Sequence, residues 1–140
     1  MMSEGRTGLD LLLVEDDSAV AAMYALVLME AGHEVRVSFD GRSALQAARR
    51  RRPDLVLLDV GLPDLDGFAV MDQLREREGT STVPVVILSN YRTPEMTRRG
   101  VDLGAMAYLL KSDTPPGELR TRIDAWREAL GPAGGSPPVN

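Results

Sequence analysis

The 140-residue chain has no cysteine, which excludes disulfides, thiol catalysis and thiolate metal sites. It has one histidine, His33, and no second to share a metal with. That residue therefore reads as structural or surface-lying, and only oxygen-ligand metal chemistry is left. No stretch approaches the roughly 18 consecutive apolar residues that cross a bilayer, and Met1-Met2-Ser3-Glu4-Gly5-Arg6 lacks the apolar core of a signal peptide. The expectation is a cytoplasmic protein with no membrane partner. A positive balance is missing as well: the net charge of −5 argues against nucleic acid as the main partner. The basic run Arg49-Arg50-Arg51-Arg52 falls where a helix is predicted to end, a place that favours solvated cations. The length suits one well-filled core without a separate output module, so action through the domain's own surface is expected.

What the chain does have is five alternations of a short apolar run with an amphipathic stretch. The predicted strands are 9–14, 34–38, 54–58, 83–88 and 105–109. Most are continuous apolar runs, which imply burial on both faces and hence a parallel sheet. Between them, 18–31 reads as a helix with Val20, Met23, Tyr24, Val27 and Ala31 inward and Gly32 as its stop. Asp40 can cap 41–51, with Ala44, Leu45 and Ala48 inward; Asp66 can cap 67–78, with Phe68, Val70, Met71 and Leu74 inward. Thr93-Pro94 opens a shorter helix ending near Leu103-Gly104. Thr114-Pro115 opens the last, where Leu119, Ile123, Trp126 and Leu130 recur at helical spacing. Residues 1–8 and 131–140 are polar, Gly- and Pro-rich, and predicted to be flexible, leaving 9–130 as the domain.

Asp59 ends the run Asp54-Leu55-Val56-Leu57-Leu58, and a carboxylate beside so much Leu and Val is costly unless something binds it. The run Leu11-Leu12-Leu13-Val14 ends the same way, in Glu15-Asp16-Asp17. Two strands can bring these acids to one sheet edge, where a divalent cation can hold them together. In an open parallel sheet, ligands bind beyond the carboxyl ends of the strands, where Asp16, Asp59, Ser89 and Lys111 all fall. Mg²⁺ typically takes one or two carboxylates and phosphate oxygens, and an Asp carboxylate can attack phosphorus to give an aspartyl-phosphate. Lys111 and Ser89 then offer a cation and a hydroxyl to phosphoryl oxygens. Each residue alone has a plainer explanation as a cap, a turn residue or a solvated lysine. Four of them ending different strands of one sheet favour the chemical one.

Over roughly residues 9–130 the chain resembles the receiver domains of two-component response regulators. Leu12-Leu13-Val14-Glu15-Asp16-Asp17 is similar to the family's acidic pocket, and 54–67, from Asp54 through Pro63-Asp64-Leu65-Asp66-Gly67, to its phosphoacceptor segment. Val85-Val86-Ile87-Leu88-Ser89 and Tyr108-Leu109-Leu110-Lys111 match the strands that carry the switch hydroxyl, the switch aromatic and the lysine. The resemblance implies a flavodoxin-like doubly wound (βα)5 fold with strand order 2-1-3-4-5. It also implies a phosphoacceptor, Asp59, rather than a conventional enzyme. Mg²⁺ or Mn²⁺ is expected on Asp16, Asp59 and the Gly61 carbonyl, with Glu15 acting indirectly or through water. A histidine kinase or phosphotransfer protein is the implied donor, and a downstream protein rather than DNA the implied target.

Ser112 stands where the family usually has Pro. Asn90 and Tyr91 follow Ser89 where a small residue is usual at the first position, so both are expected to tune phosphoryl lifetime. On phosphorylation, the resemblance implies that Ser89 and Lys111 move toward the phosphoryl group and Tyr108 turns inward. Complete switching from a resting population of about 1% requires roughly 5.5 kcal/mol, so partial switching completed by a partner is expected. Two other functions compete. A phosphorylation-independent docking module has no need of the metal-carboxylate site, and a Mg²⁺-dependent nuclease or topoisomerase-type domain built on Glu15 and Asp64-Leu65-Asp66 leaves Lys111 and Ser89 without a role.

Overall fold

The computed structural model describes residues 8–130; the predicted flexible ends, Gly8 apart, lie outside the described residues. Five strands, β1 (Asp10–Val14), β2 (Glu34–Ser38), β3 (Leu55–Leu58), β4 (Val85–Ser89) and β5 (Ala107–Leu110), alternate with five helices. These are α1 (Ser18–Glu30), α2 (Gly41–Arg50), α3 (Gly67–Glu76), α4 (Pro94–Asp102) and α5 (Pro116–Leu130). All strand pairs are parallel, in the order β2-β1-β3-β4-β5, the flavodoxin-like arrangement expected from the sequence.

Strand alternation divides the core in two. Leu11 and Leu13 of β1, with Leu55 and Leu57 of β3, face α1 and α5; Leu12, Val14, Val56 and Leu58 face α2 and α3. Because helices cover both faces, neither set has a polar alternate, which is why the strands read as unbroken apolar runs. Each such leucine taken from water contributes about 1.5–3 kcal/mol.

The caps are those legible in the chain. Asp40 accepts from the Ser43 N–H, Asp66 from Ala69 and Thr93 from Met96, with Pro94 in the first turn. Asp17 caps α1 by accepting from the Ala19 and Val20 amides, so the plainer explanation of a strand-end acid holds for that residue. Gly32, at φ +98°, ends α1 in the left-handed region that favours glycine.

The inward face of α1 differs from the expected one. Ala21, Tyr24, Ala25 and Leu28 are buried, Val20, Val27 and Ala31 are half-buried, and Met23 is exposed. The helix is apolar nearly all round, so periodicity does not select one stripe. The stripe that docks carries two alanines, which let the helix lie close to the sheet, and Tyr24, whose hydroxyl donates to the Thr114 carbonyl at 2.7 Å. Element ends differ by one or two residues. Ala105 and Met106 precede β5 because the Ala105 N–H closes the end of α4 on the Gly100 carbonyl. Lys111–Asp113 form a 3₁₀ turn, and α5 starts at Pro116, one residue past the predicted Thr114-Pro115 opening. Trp126 packs on the α1–α5 core while remaining partly exposed.

Candidate functional site

The registers align the carboxyl ends of β1, β3 and β4, pairing Val14 with Leu58 and Leu58 with Ile87. The Asp59 N–H donates to the Val14 carbonyl and the Glu15 N–H to Ser38, so both acids leave the sheet at one level. Lys111 arrives at the same edge directly after β5. The sequence-predicted residues Glu15, Asp16, Asp59, Gly61, Ser89, Asn90, Tyr91 and Lys111 line one open cleft of about 590 Å³. Tyr108 lies outside its lining, on the other side of the loop after β4.

One carboxylate oxygen each from Glu15, Asp16 and Asp59 lie within 4.8 Å of one another. Glu15 and Asp59 are buried and Asp16 is exposed. A single cation answers them: Lys111 Nζ stands 2.6 Å from Glu15 Oε1 and 3.1 Å from Asp59 Oδ2. Backbone amides take the remaining oxygens, Asp17 N–H donating to Glu15 Oε2 at 3.1 Å and Gly61 N–H to Asp59 Oδ1 at 2.9 Å. Burial pushes the Glu15 pKa up, against the hydrogen bond and charge of Lys111, and the negative Asp59 adds to the rise. Burial opposes the charge of Lys111, but the bond to Glu15 and the charges of Asp59 and Glu15 outweigh it and raise its pKa, so it is an ammonium at neutral pH.

Three carboxylates against one ammonium leave an excess of negative charge among oxygen donors, and no His or Cys joins the cluster among the described residues. That donor set fits a hard divalent cation such as Mg²⁺ or Mn²⁺. The same cleft has room for a phosphoryl group, with Lys111 and Ser89 on its walls.

Ser89 is fully buried, and its Oγ accepts from the Tyr91 N–H at 3.1 Å. The Tyr91 carbonyl accepts from the Tyr108 hydroxyl at 2.7 Å. One peptide segment of the β4–α4 loop is therefore held on one side by Ser89 and on the other by Tyr108. Tyr91 is 71% exposed and Asn90 is exposed. Sequence reasoning missed Val20 and Met96, which give the cleft its apolar rim. Each lies in the first turns of a helix that follows a site strand, and that position was the available signal. It also missed the role of Asp64, whose carboxylate reaches from the β3–α3 loop to α2.

The family description "Response regulator receiver domain" matches residues 11–124. The "Gliding motility regulatory protein" of Myxococcus xanthus is 37% identical over 116 residues, covering 83% of this chain and 15% of that protein. The "Transcriptional regulatory protein PrrA" of Mycobacterium tuberculosis is 38% identical over 110 residues, 79% of this chain and 46% of that protein. The chain thus spans less than half the length of either relative. Among solved structures, the chemotaxis response regulator CheY4 of Vibrio cholerae is similar with a TM-score of 0.78 and 29% identity, covering 85% of this chain and 98% of that one.

Proposed function

Because this chain belongs to the response regulator receiver domain family of two-component signalling, we propose that residues 9–130 act as a phosphoacceptor unit with Asp59 as the phosphorylated residue. The observation that carries the proposal is the bridge of Lys111 between Asp59 and Glu15, with Asp16 beside them. A docking module has no use for three clustered acids around one lysine. A nuclease has no use for the buried Ser89, and Asp66, one of the acids it would recruit, is spent capping α3.

Asp16, Asp59 and the Gly61 carbonyl would hold Mg²⁺ or Mn²⁺, with Glu15 acting indirectly or through water, and the bound cation would supply neutralising charge for carboxylate and phosphoryl oxygens. An Asp59 oxygen attacks the phosphorus of a phosphohistidine on a kinase or phosphotransfer protein. The O–P bond forms as the P–N bond breaks, and the electron pair returns to the imidazole nitrogen. Lys111 exchanges its bond to Asp59 Oδ2 for one to a phosphoryl oxygen, and Ser89 Oγ donates to another. That second bond draws Ser89 away from the Tyr91 amide, loosening the loop that Tyr108 holds by its carbonyl, and a downstream protein reads the altered face. Asn90 and Tyr91, at the mouth of the cleft, set how readily water reaches the acyl phosphate.

Incubation with Mg²⁺ and acetyl phosphate should give a phosphoryl adduct by intact mass that Asp59→Asn abolishes. An adduct persisting in that variant would sink the assignment. Replacing Asn90 and Tyr91 together by alanine should change the dephosphorylation rate, and an unchanged rate would remove them from the mechanism.

A further inference from the structure

Helix α2 carries two acids on one end. Asp40, its own cap, accepts from the Ser43 N–H at 2.8 Å. Asp64 belongs to a different segment, the loop between β3 and α3, five residues past Asp59. Its Oδ1 accepts from the Gly41 N–H at 2.7 Å and its Oδ2 from the Arg42 N–H at 3.0 Å, with Arg42 Nε 3.8 Å away. The two acids together satisfy the first three amides of the helix. The contact is tight as well as polar: a Cβ on Gly41 would stand 2.9 Å from Leu65 Cβ, 2.9 Å from Val70 Cγ2 and 3.3 Å from Asp64 Oδ1. Glycine at the start of α2 is what lets the loop seat there.

By backbone hydrogen bonds the rest of that loop is anchored at its two ends, and Leu62 and Leu65 pack against the core that α2 and α3 cover. The Gly67 N–H donates to the Val60 carbonyl, and the Gly61 N–H donates to Asp59 Oδ1. Between these points Asp64 supplies the side-chain hydrogen bonds to a neighbouring helix. Gly61 holds one of the two oxygens of Asp59, while Lys111 holds the other. A loop free to lift at Asp64 carries the Gly61 amide with it and lets the Asp59 carboxylate turn.

The geometry points to Asp64 as a positioning residue: by clamping the β3–α3 loop to the amino end of α2, it fixes the Gly61 amide and through it the orientation of Asp59 for phosphoryl transfer. The inference rests on Asp59 being the phosphoacceptor. Asp40 provides the control, because it caps the same helix without touching the loop.

The test compares Asp64→Ala, Asp64→Asn and Asp40→Ala by three measurements: Tm, the rate of adduct formation with acetyl phosphate and saturating Mg²⁺, and the Gly61 amide proton shift. A 1 Å misplacement can cost on the order of a hundredfold in rate. We expect Asp64→Ala to slow uptake roughly tenfold, within that ceiling, and to move the Gly61 amide proton upfield as its bond to Asp59 weakens. Asp64→Asn, which keeps an acceptor oxygen but loses the charge, should fall between it and the parent chain. Asp40→Ala should lower Tm while leaving both the uptake rate and the Gly61 resonance unchanged. An unmoved Gly61 resonance in Asp64→Ala overturns the inference, as does equal slowing by Asp40→Ala and Asp64→Ala at matched loss of Tm. Failure of the unsubstituted protein to form any adduct tells against the phosphoacceptor reading instead, and the Gly61 resonance still judges the clamp.

Discussion

The two edges of the sheet handle clustered charge in opposite ways. At the amino edge, Asp10 takes Arg36 and Arg51, each at 3.1 Å, Glu34 takes Arg51 at 2.7 Å, and Asp54 accepts the Asp10 amide at 2.8 Å. Arg36 spends its remaining donors on the carbonyls of Ala47 and Arg51. Forked guanidinium groups suit such matching, and the edge closes on itself. At the carboxyl edge three acids cluster beside one lysine, a compact cation with no fork, which bonds the two buried ones, Glu15 and Asp59. Burying acids with too few cations costs stability, and a fold carries that cost where something else is to be bound. The deficit of cations, rather than the presence of acids, separates the site from the scaffold.

The sharpest way to break this contrast is to substitute one acid at each edge. Asp59→Asn should abolish phosphoryl uptake, whereas Asp10→Asn should leave uptake unchanged, both followed by intact mass. Removing the lone cation comes next in size. Lys111→Met leaves Glu15 and Asp59 buried without a cation and should cost about 3–5 kcal/mol, read from urea unfolding without divalent ions at pH 7.5. The Glu15 pKa is already raised by burial and rises further without the ammonium. A raised folded-state pKa gives stability that is present at low pH and lost as pH rises through it. The penalty in Lys111→Met should therefore grow with pH above the ordinary carboxylate range, and added Mg²⁺ should reduce it. A penalty independent of pH and of Mg²⁺ would mean that the lysine only packs.

Arg36→Ala tests the other edge. It leaves Asp10 with Arg51 as its cation and frees the carbonyls of Ala47 and Arg51, which should cost about 1–3 kcal/mol, with no response to Mg²⁺ and no change in uptake rate. If Mg²⁺ restored the stability of this variant as it does that of Lys111→Met, the two edges would not be functionally distinct.

The fold was legible because β1, β3 and β4 are buried on both faces along nearly their whole length and four of the five helices begin with a side chain that caps: Asp17, Asp40, Asp66 and Thr93. The stretch 18–29 was less legible because apolar residues surround the whole helix, so its docked face was decided by the fit of Ala21 and Ala25 to the sheet. At the site, the clustering of Asp16, Asp59, Ser89 and Lys111 follows from strand order alone. Two things did not follow. The grip of Ser89 and Tyr108 on the Tyr91 peptide uses backbone atoms that no side-chain pattern encodes. Asp64 looked like an ordinary loop acid because its partners, the Gly41 and Arg42 amides, lie more than twenty positions earlier in the chain.

The smallest expected effect lies at the amino edge, where His33 is packed between β1 and α5. Its Nδ1 accepts from the Leu9 N–H at 3.0 Å, so the neutral ring carries its proton on Nε2, a buried atom without a hydrogen-bond partner among the described residues. Burial lowers its pKa, with Arg127 and Arg120 lowering it further against the opposing charge of Asp124. A second proton would have to displace the Leu9 amide from Nδ1 and place a cation near two arginines. The unfolded chain binds that proton from about pH 6.5 downward, before the folded one does, so stability falls as pH drops below that value toward the folded-state pKa. His33→Asn places an amide oxygen where Nδ1 accepts and removes the titrating group. Between pH 7.5 and 5.5 the Tm of the parent chain should decline more steeply than that of the variant, and parallel declines would show that His33 contributes nothing to the acid sensitivity of the fold.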